Sequence, residues 1–118
     1  MHEFGIIQGV FKLVEEAAVK NNLKAITKVT LKIGKLRQVF PDFLQFAFET
    51  VSKGTVAQDA KLVIVEVPIK MKCRTCQQEF AVERNAYICP KCNNVGLDVL
   101  SGKEIYIESI EGEPKDAD

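Results

Sequence analysis

The chain has 118 residues, 47% hydrophobic and 27% charged, and its sixteen Lys and Arg balance sixteen Asp and Glu. That is one small domain, or one domain with a short insert, of globular composition, which excludes a disordered or collagen-like chain. No apolar run approaches the ~20 residues of a membrane-spanning helix, and the neutral balance argues against a broad nucleic-acid surface, which shows as an excess of Lys and Arg.

Phe4, Ile7, Val10, Phe11, Val14, Ala17 and Ala18 recur at helical spacing, so residues 4–20 read as an amphipathic helix ending near Asn21-Asn22. Over residues 25–33 the period changes to two. Val29, Leu31 and Ile33 alternate with Lys28, Thr30 and Lys32 as in a half-buried strand, which Gly34 stops. Pro41 fits the first turn of a second helix, with Asp42 at its positive end. Phe43, Leu44, Ala47, Phe48 and Val51 form its expected buried stripe, and Gly54 lies just past its end. The β-branched run of residues 61–67 reads as a strand closed by Pro68. Residues 103–110 read as a last strand, after which Gly112 and Pro114 are expected to break the order and leave an acidic tail.

Charge is unevenly distributed along this order, at +4 over residues 1–40, −2 over 41–69, +3 over 70–92 and −5 over 93–118. The acidic end reads as a solvated segment. Residues 70–97 stand apart from the α/β body, with few large aliphatics and all four cysteines. A segment so poor in core-forming side chains needs a staple.

The opening residues carry no basic stretch followed by an apolar block, so no secretory leader is expected and the chain is placed in the cytosol, where disulfides rarely persist. Two close pairs, Cys73/Cys76 and Cys89/Cys92, twelve residues apart, therefore point to a metal. Asn93, after the second pair, suits a turn with positive φ. Zinc is the default ion for a closed set of four thiolates. Iron is the rival, as in rubredoxin-like sites, and would be coloured. Either way the set leaves no open position for substrate, which makes it structural.

His2 is the only histidine. The Met1 amine, the intervening amide nitrogen and the His2 imidazole can chelate one divalent ion in fused rings. Such a flat, nitrogen-rich set suits Ni(II) or Cu(II), and Glu3 can add a donor or orient the imidazole. Enzyme signatures are absent. A single histidine gives no Ser-His-Asp set. Gly96 and Gly102-Lys103 fail the phosphate-loop pattern, because five residues separate the glycines and Glu104 follows the lysine.

Several stretches together resemble one family: Met1-His2-Glu3-Phe4, Ile33-Gly34-Lys35-Leu36, Phe46-Ala47-Phe48-Glu49, Lys53-Gly54-Thr55, both cysteine pairs and Ser101-Gly102-Lys103-Glu104. Over residues 1–111 the chain is similar to the HypA/HybF nickel metallochaperones, which mature [NiFe]-hydrogenases. The resemblance implies an α+β fold: a small mixed sheet of about three strands with two helices, plus an inserted zinc-ribbon-like domain. Residues 1–69 and 98–111 would form the nickel-binding α/β domain, 70–97 the zinc-binding domain and 112–118 a flexible acidic tail. It implies His2 as the essential nickel ligand, with Met1 and Glu3 beside it, and Cys73, Cys76, Cys89 and Cys92 as zinc ligands. Ni(II) would be transported and Zn(II) structural. The implied partners are a HypB-type GTPase and the hydrogenase large subunit, with urease a second destination in some members. No nucleic acid or membrane partner is expected, and the sheet edges with the Phe-rich second helix allow a homodimer. Two rival classes remain on the residues alone. One is a zinc-ribbon module binding nucleic acid or a protein partner through the positive segment 70–92; the other is a rubredoxin-like electron carrier.

Overall fold

Helix α1 (His2–Lys20) buries Ile7, Val10, Val14 and Ala18, one stripe at the spacing of an α-helix. Its end is fixed by Asn21, whose backbone N–H and side-chain amide both donate to the Ala17 carbonyl at 2.9 Å, and by Asn22 at φ 56°. The computed structural model describes residues 2–115, with side chains from Phe4 onward. The chain then enters strand β1 (Leu23–Gly34), which buries Ile26, Val29, Leu31 and Ile33. Helix α2 (Pro41–Ser52) begins with Pro41 in its first turn, and the Phe40 carbonyl accepts the N–H groups of Phe43 and Leu44.

Helix α2 packs on α1 through Leu44, Ala47 and Phe48. Phe43, expected in this stripe, is 61% exposed instead. At 100° per residue, Leu44, Ala47, Phe48 and Val51 already fill one face, and Phe43 falls beside it. Strands β2 (Lys61–Val67) and β6 (Ile105–Pro114) flank β1 in a three-stranded sheet of order β2-β1-β6.

Three ion pairs between β1 and β6, Lys24–Glu113, Lys28–Glu111 and Lys32–Glu108, run in opposite chain directions and mark the two strands as antiparallel. Glu108 lies 2.9 Å from Lys32 and raises the lysine's pKa, first through the hydrogen bond and then through its charge. Exposed pairs of this kind add little against water and salt. Burying each aliphatic side chain on the other face of β1 contributes about 1.5–3 kcal/mol. The core therefore holds the sheet, and the ladder selects its register.

The last strand is longer than the expected 103–110. Gly112 does not break it, because a Cβ there would meet the Ala25 carbonyl oxygen at 2.6 Å; glycine permits the close approach of β6 to β1. Lys115 N–H then donates to the Asn22 carbonyl at 2.9 Å. The remainder of the expected tail, 116–118, lies outside the described residues.

The helices and most of this sheet form one compact unit, made of residues up to Lys32, Val39–Val65 and residues from Tyr106. Ile33–Gln38 and Glu66–Ile105 form a second. Its sheet is made of β3 (Lys70–Cys73), β4 (Glu79–Ala81) and β5 (Leu97–Ser101) in the order β4-β3-β5, both pairings antiparallel. The limits of 70 and 97 expected for the cysteine segment fall inside this unit, for two reasons. Strand β5 pairs with β3 from Leu97 to Ser101, with a register shift at Leu100. The chain after β1 also folds back as a short 3-10 turn (Lys35–Arg37), where Gly34 N–H donates to the Glu104 carbonyl at 2.7 Å and Leu36 N–H to the Gly102 carbonyl at 2.8 Å. Arg37 Nε adds a bond to the Lys103 carbonyl at 2.7 Å.

This contact requires two glycines. A methyl group at Gly34 would overlap the Gly102 carbonyl, and Gly102 itself sits at φ 113° over Ile69. Gly34→Ala is therefore expected to lower stability by about 2 kcal/mol or more, because the obstacle is backbone. Gly96→Ala, which meets nothing within 4 Å, is expected to move the urea midpoint little. Equal midpoints for the two variants would remove the close-approach role.

Candidate metal centre

The four cysteines are held by two turns of the same construction. In the first, Cys73 N–H donates to the Gln78 carbonyl and Gln77 N–H to the Cys73 carbonyl, both at 2.9 Å. In the second, Cys89 N–H donates to Asn94 and Asn93 N–H to Cys89, again both at 2.9 Å. The residue after each second cysteine has positive φ, 65° at Gln77 and 63° at Asn93. Asn93 was readable as such a residue; Gln77 was not, because its side chain gives no special preference for that region. Each turn offers one fully buried sulfur (Cys73, Cys89) and one half-buried sulfur (Cys76, Cys92).

The turns face each other so that the nearest sulfurs are across the pair: Cys73–Cys92 at 3.5 Å and Cys76–Cys89 at 3.5 Å. All four Sγ atoms lie within 4.8 Å of one another. Four thiolates about 2.3 Å from one ion in a tetrahedron stand about 3.8 Å apart. The cluster is thus of the size a single tetrahedral ion requires, and its donors are all sulfur, the chemistry of zinc or iron and not of a hard cation. It is the one such cluster of His, Cys, Asp or Glu among the described residues.

A side chain that sequence reasoning passed over shapes this cluster. Asn94 Nδ2 donates to Cys92 Sγ at 3.3 Å. That bond, and then the Asn94 backbone N–H, hold the Cys92 thiol down to about 6. The matching residue of the first turn, Gln78, turns its amide to the Glu79 carbonyl instead. Its backbone N–H pulls Cys76 down, but burial and the neighbouring thiols outweigh it and push Cys76 up to about 11. A signal for this existed in the sequence, since each cysteine pair is followed by two amide residues, Gln77-Gln78 and Asn93-Asn94.

The positive charge of residues 70–92 is partly neutralised in place. Lys72 stands opposite Glu79 on one side and Asp98 on the other, and Arg74 Nε bonds Asp98 Oδ1 at 2.7 Å. This weakens the case for a phosphate-binding face. The amino-terminal candidates have a different standing. Met1 lies outside the described residues, and His2 and Glu3 open α1 with side chains that also lie outside the description. Among the described residues no helix is long and apolar enough to cross a membrane.

Comparison with known proteins gives a consistent result. Residues 1–112 match the family model described as hydrogenase/urease nickel incorporation, metallochaperone, hypA. The hydrogenase maturation factor HypA of Desulfitobacterium hafniense is 40% identical, covering 96% of this chain and 99% of that protein. That of Aquifex aeolicus is 39% identical, covering 94% and 96%. Among solved structures, the Ni metallochaperone HypA from Helicobacter pylori superposes with a TM-score of 0.69 at 27% identity, covering 96% of this chain and 98% of that one. A second HypA solution structure gives 0.73 at 29% identity, covering 98% of each chain.

Two outcomes are expected at the cysteines. Cys89→Ser is expected to lose tightly bound metal, measured by elemental analysis, and to make residues 70–101 sensitive to protease. Retention of one equivalent would remove Cys89 from the site. Asn94→Ala is expected to speed metal removal by a chelator by roughly tenfold, as loss of a hydrogen bond behind a ligand does, while Gln78→Ala leaves the rate near wild type. Equal rates would show that the Asn94 amide adds nothing.

Proposed function

Because this chain belongs to the HypA family of metallochaperones for nickel incorporation into hydrogenase and urease, we propose that it binds Ni(II) at its amino terminus and delivers the ion for maturation of [NiFe]-hydrogenase. The observation that carries this reading is the opening Met1-His2-Glu3 within a match that runs from residue 1 to residue 112. The four cysteines hold Zn(II), and their role is structural.

Nickel is cargo here, so its site has to be selective and yet release the ion. The Met1 amine, the His2 amide nitrogen and the His2 imidazole form fused chelate rings, and this flat nitrogen set favours Ni(II) over Zn(II). Glu3 supplies a carboxylate donor or steadies the imidazole. The first N–H groups of a helix have no acceptor within it. With α1 starting at His2, the His2 amide can lose its proton to the metal without breaking a helical hydrogen bond. A site at a chain end is open to an incoming partner, so transfer proceeds by ligand exchange, one donor at a time.

The zinc ligands Cys73, Cys76, Cys89 and Cys92 staple a unit whose own apolar core is small, with Ile69 and Met71 the buried aliphatic residues of Glu66–Ile105. The partners are a HypB-type GTPase and the hydrogenase large subunit; urease is a second destination. The setting is the cytosol. The sheet edges and α2 permit a homodimer.

Calorimetry on zinc-loaded, untagged protein with a native amino terminus is expected to give one Ni(II) per chain. His2→Ala is expected to lose that binding and keep its zinc. An amine and an imidazole bind metal only when deprotonated, so affinity is expected to fall as pH drops from ~8 to ~6. Equal nickel binding by His2→Ala, or affinity flat across that range, would remove the amino-terminal site.

A further inference from the structure

The four cysteines are not equivalent. Cys73 and Cys89 are fully buried, whereas Cys76 and Cys92 are half-buried, within reach of a small solute. The two half-buried sulfurs then differ from each other. Each receives the backbone N–H of the residue two positions on, Gln78 or Asn94. Only Cys92 also receives a side-chain amide, from Asn94 Nδ2 at 3.3 Å. In the first turn the Gln78 amide goes to the Glu79 carbonyl and the Gln77 amide to the Arg74 carbonyl, both at 3.0 Å. Cys76 is thus the half-buried sulfur with no amide side chain bonded to it.

This difference has a chemical meaning once zinc is bound. All four sulfurs are then thiolates, so attack on an electrophile follows exposure and the electron density left on sulfur. A hydrogen bond draws on that density and covers one line of approach. Burial protects Cys73 and Cys89, and the Asn94 amide protects Cys92. The sulfur facing Cys76 is Cys89 of the other turn, at 3.5 Å, against about 2.05 Å in a disulfide. A short movement of the two side chains therefore joins them.

We propose that Cys76 of the zinc-loaded centre is a site of attack on hydroperoxides, and that Cys89 closes the first disulfide with it. The Cys76 thiolate displaces hydroxide from hydrogen peroxide. An S–O bond forms, the O–O bond breaks, and the sulfur gives two electrons to the peroxide. The Cys89 thiolate then attacks the Cys76 sulfur. An S–S bond forms, the S–O bond breaks, and a second hydroxide leaves. Solvent protonates both hydroxides, so one peroxide and two thiolates yield one disulfide and two waters. Cys73 and Cys92, also 3.5 Å apart, are left as two thiolates, too few for a closed four-sulfur site. Zinc is released, and a second peroxide joins this pair in the same way. Each disulfide ties one turn to the other, so the unit stays stapled without its metal, and a thiol reductant restores all four ligands. The proposal rests on the zinc reading of the cysteines and makes no use of nickel.

The test treats zinc-loaded protein with hydrogen peroxide, follows zinc release with a chelating dye, and blocks the remaining thiols with N-ethylmaleimide at intervals. Trypsin cuts after Lys72, Arg74, Arg84 and Lys91, which places each cysteine on a separate peptide. Mass spectrometry then distinguishes every pairing. At early times wild type is expected to give roughly tenfold more Cys76–Cys89 than Cys73–Cys92. Asn94→Ala, which keeps all four ligands, is expected to bring the two disulfides close to equal. Should that variant fail to hold zinc, the order in wild type decides alone. A first product within one turn, Cys73–Cys76 or Cys89–Cys92, would overturn the proposal. So would Cys73–Cys92 forming first, thiols untouched by excess peroxide, or a product ratio unchanged in zinc-loaded Asn94→Ala. Zinc content is measured before peroxide is added. Protein that takes up no zinc overturns the zinc reading and this proposal together, whereas zinc held with the wrong pairing overturns the proposal alone.

Discussion

Four sulfur atoms within 4.8 Å of one another are the constraint around which the second unit is arranged. Thiolates in one small volume repel each other unless an ion neutralises them, and neutral thiols contribute little packing. The chain meets this with backbone. Each cysteine pair sits in a turn closed by two amide bonds, one in each direction, with a left-handed residue at Gln77 or Asn93 to bring the chain back. The first sulfur of each pair is thereby buried and the second left half-buried. The two turns place their sulfurs closest to those of the opposite turn, so one ion would cross-link both turns instead of closing each alone.

The rest of that unit supplies what the turns lack. Strand β3 ends at Cys73 and is paired on both sides, by β4 and β5, which fixes the first turn in direction. The segment after β1 is fastened to Gly102 and Glu104 through two backbone bonds, and to the Lys103 carbonyl through the Arg37 guanidinium. Glu104 is itself held: its own N–H, and then the Gly102 N–H at 2.6 Å, keep its carboxyl below the usual carboxylate range. The Ser101-Gly102-Lys103-Glu104 motif thus has a plain structural use, since the glycine admits another backbone and the glutamate closes the turn.

The first unit is stabilised differently, by aliphatic burial between two helices and one face of a sheet. That core ends at α2's inner stripe and leaves Phe43 and Phe46 facing water. His2 and Glu3, two of the residues proposed to hold nickel, open α1. In the proposed reading, the structural Zn(II) and the transported Ni(II) have sites of opposite character, one enclosed by sulfur and backbone, the other at residues 1–3.

Local pattern carried much of this. A period of 3.6 located both helices and a period of two located β1, because each has a buried face long enough to repeat; β2 and β6 were legible from runs of β-branched and aromatic residues, to within a few residues. The cysteine spacing picked out the four sulfurs that lie together, because two cysteines separated by two residues already favour a turn. Strands β3, β4 and β5 were not legible; at 4, 3 and 5 residues they are too short to show a period, and pairing rather than pattern makes them strands. The exposure of Phe43, the role of Gly112 inside β6, the Gly34–Gly102 contact and the Asn94 bond to Cys92 were decided by tertiary structure. Each depends on which distant segment lies alongside, and a residue's own neighbours in sequence carry no record of that.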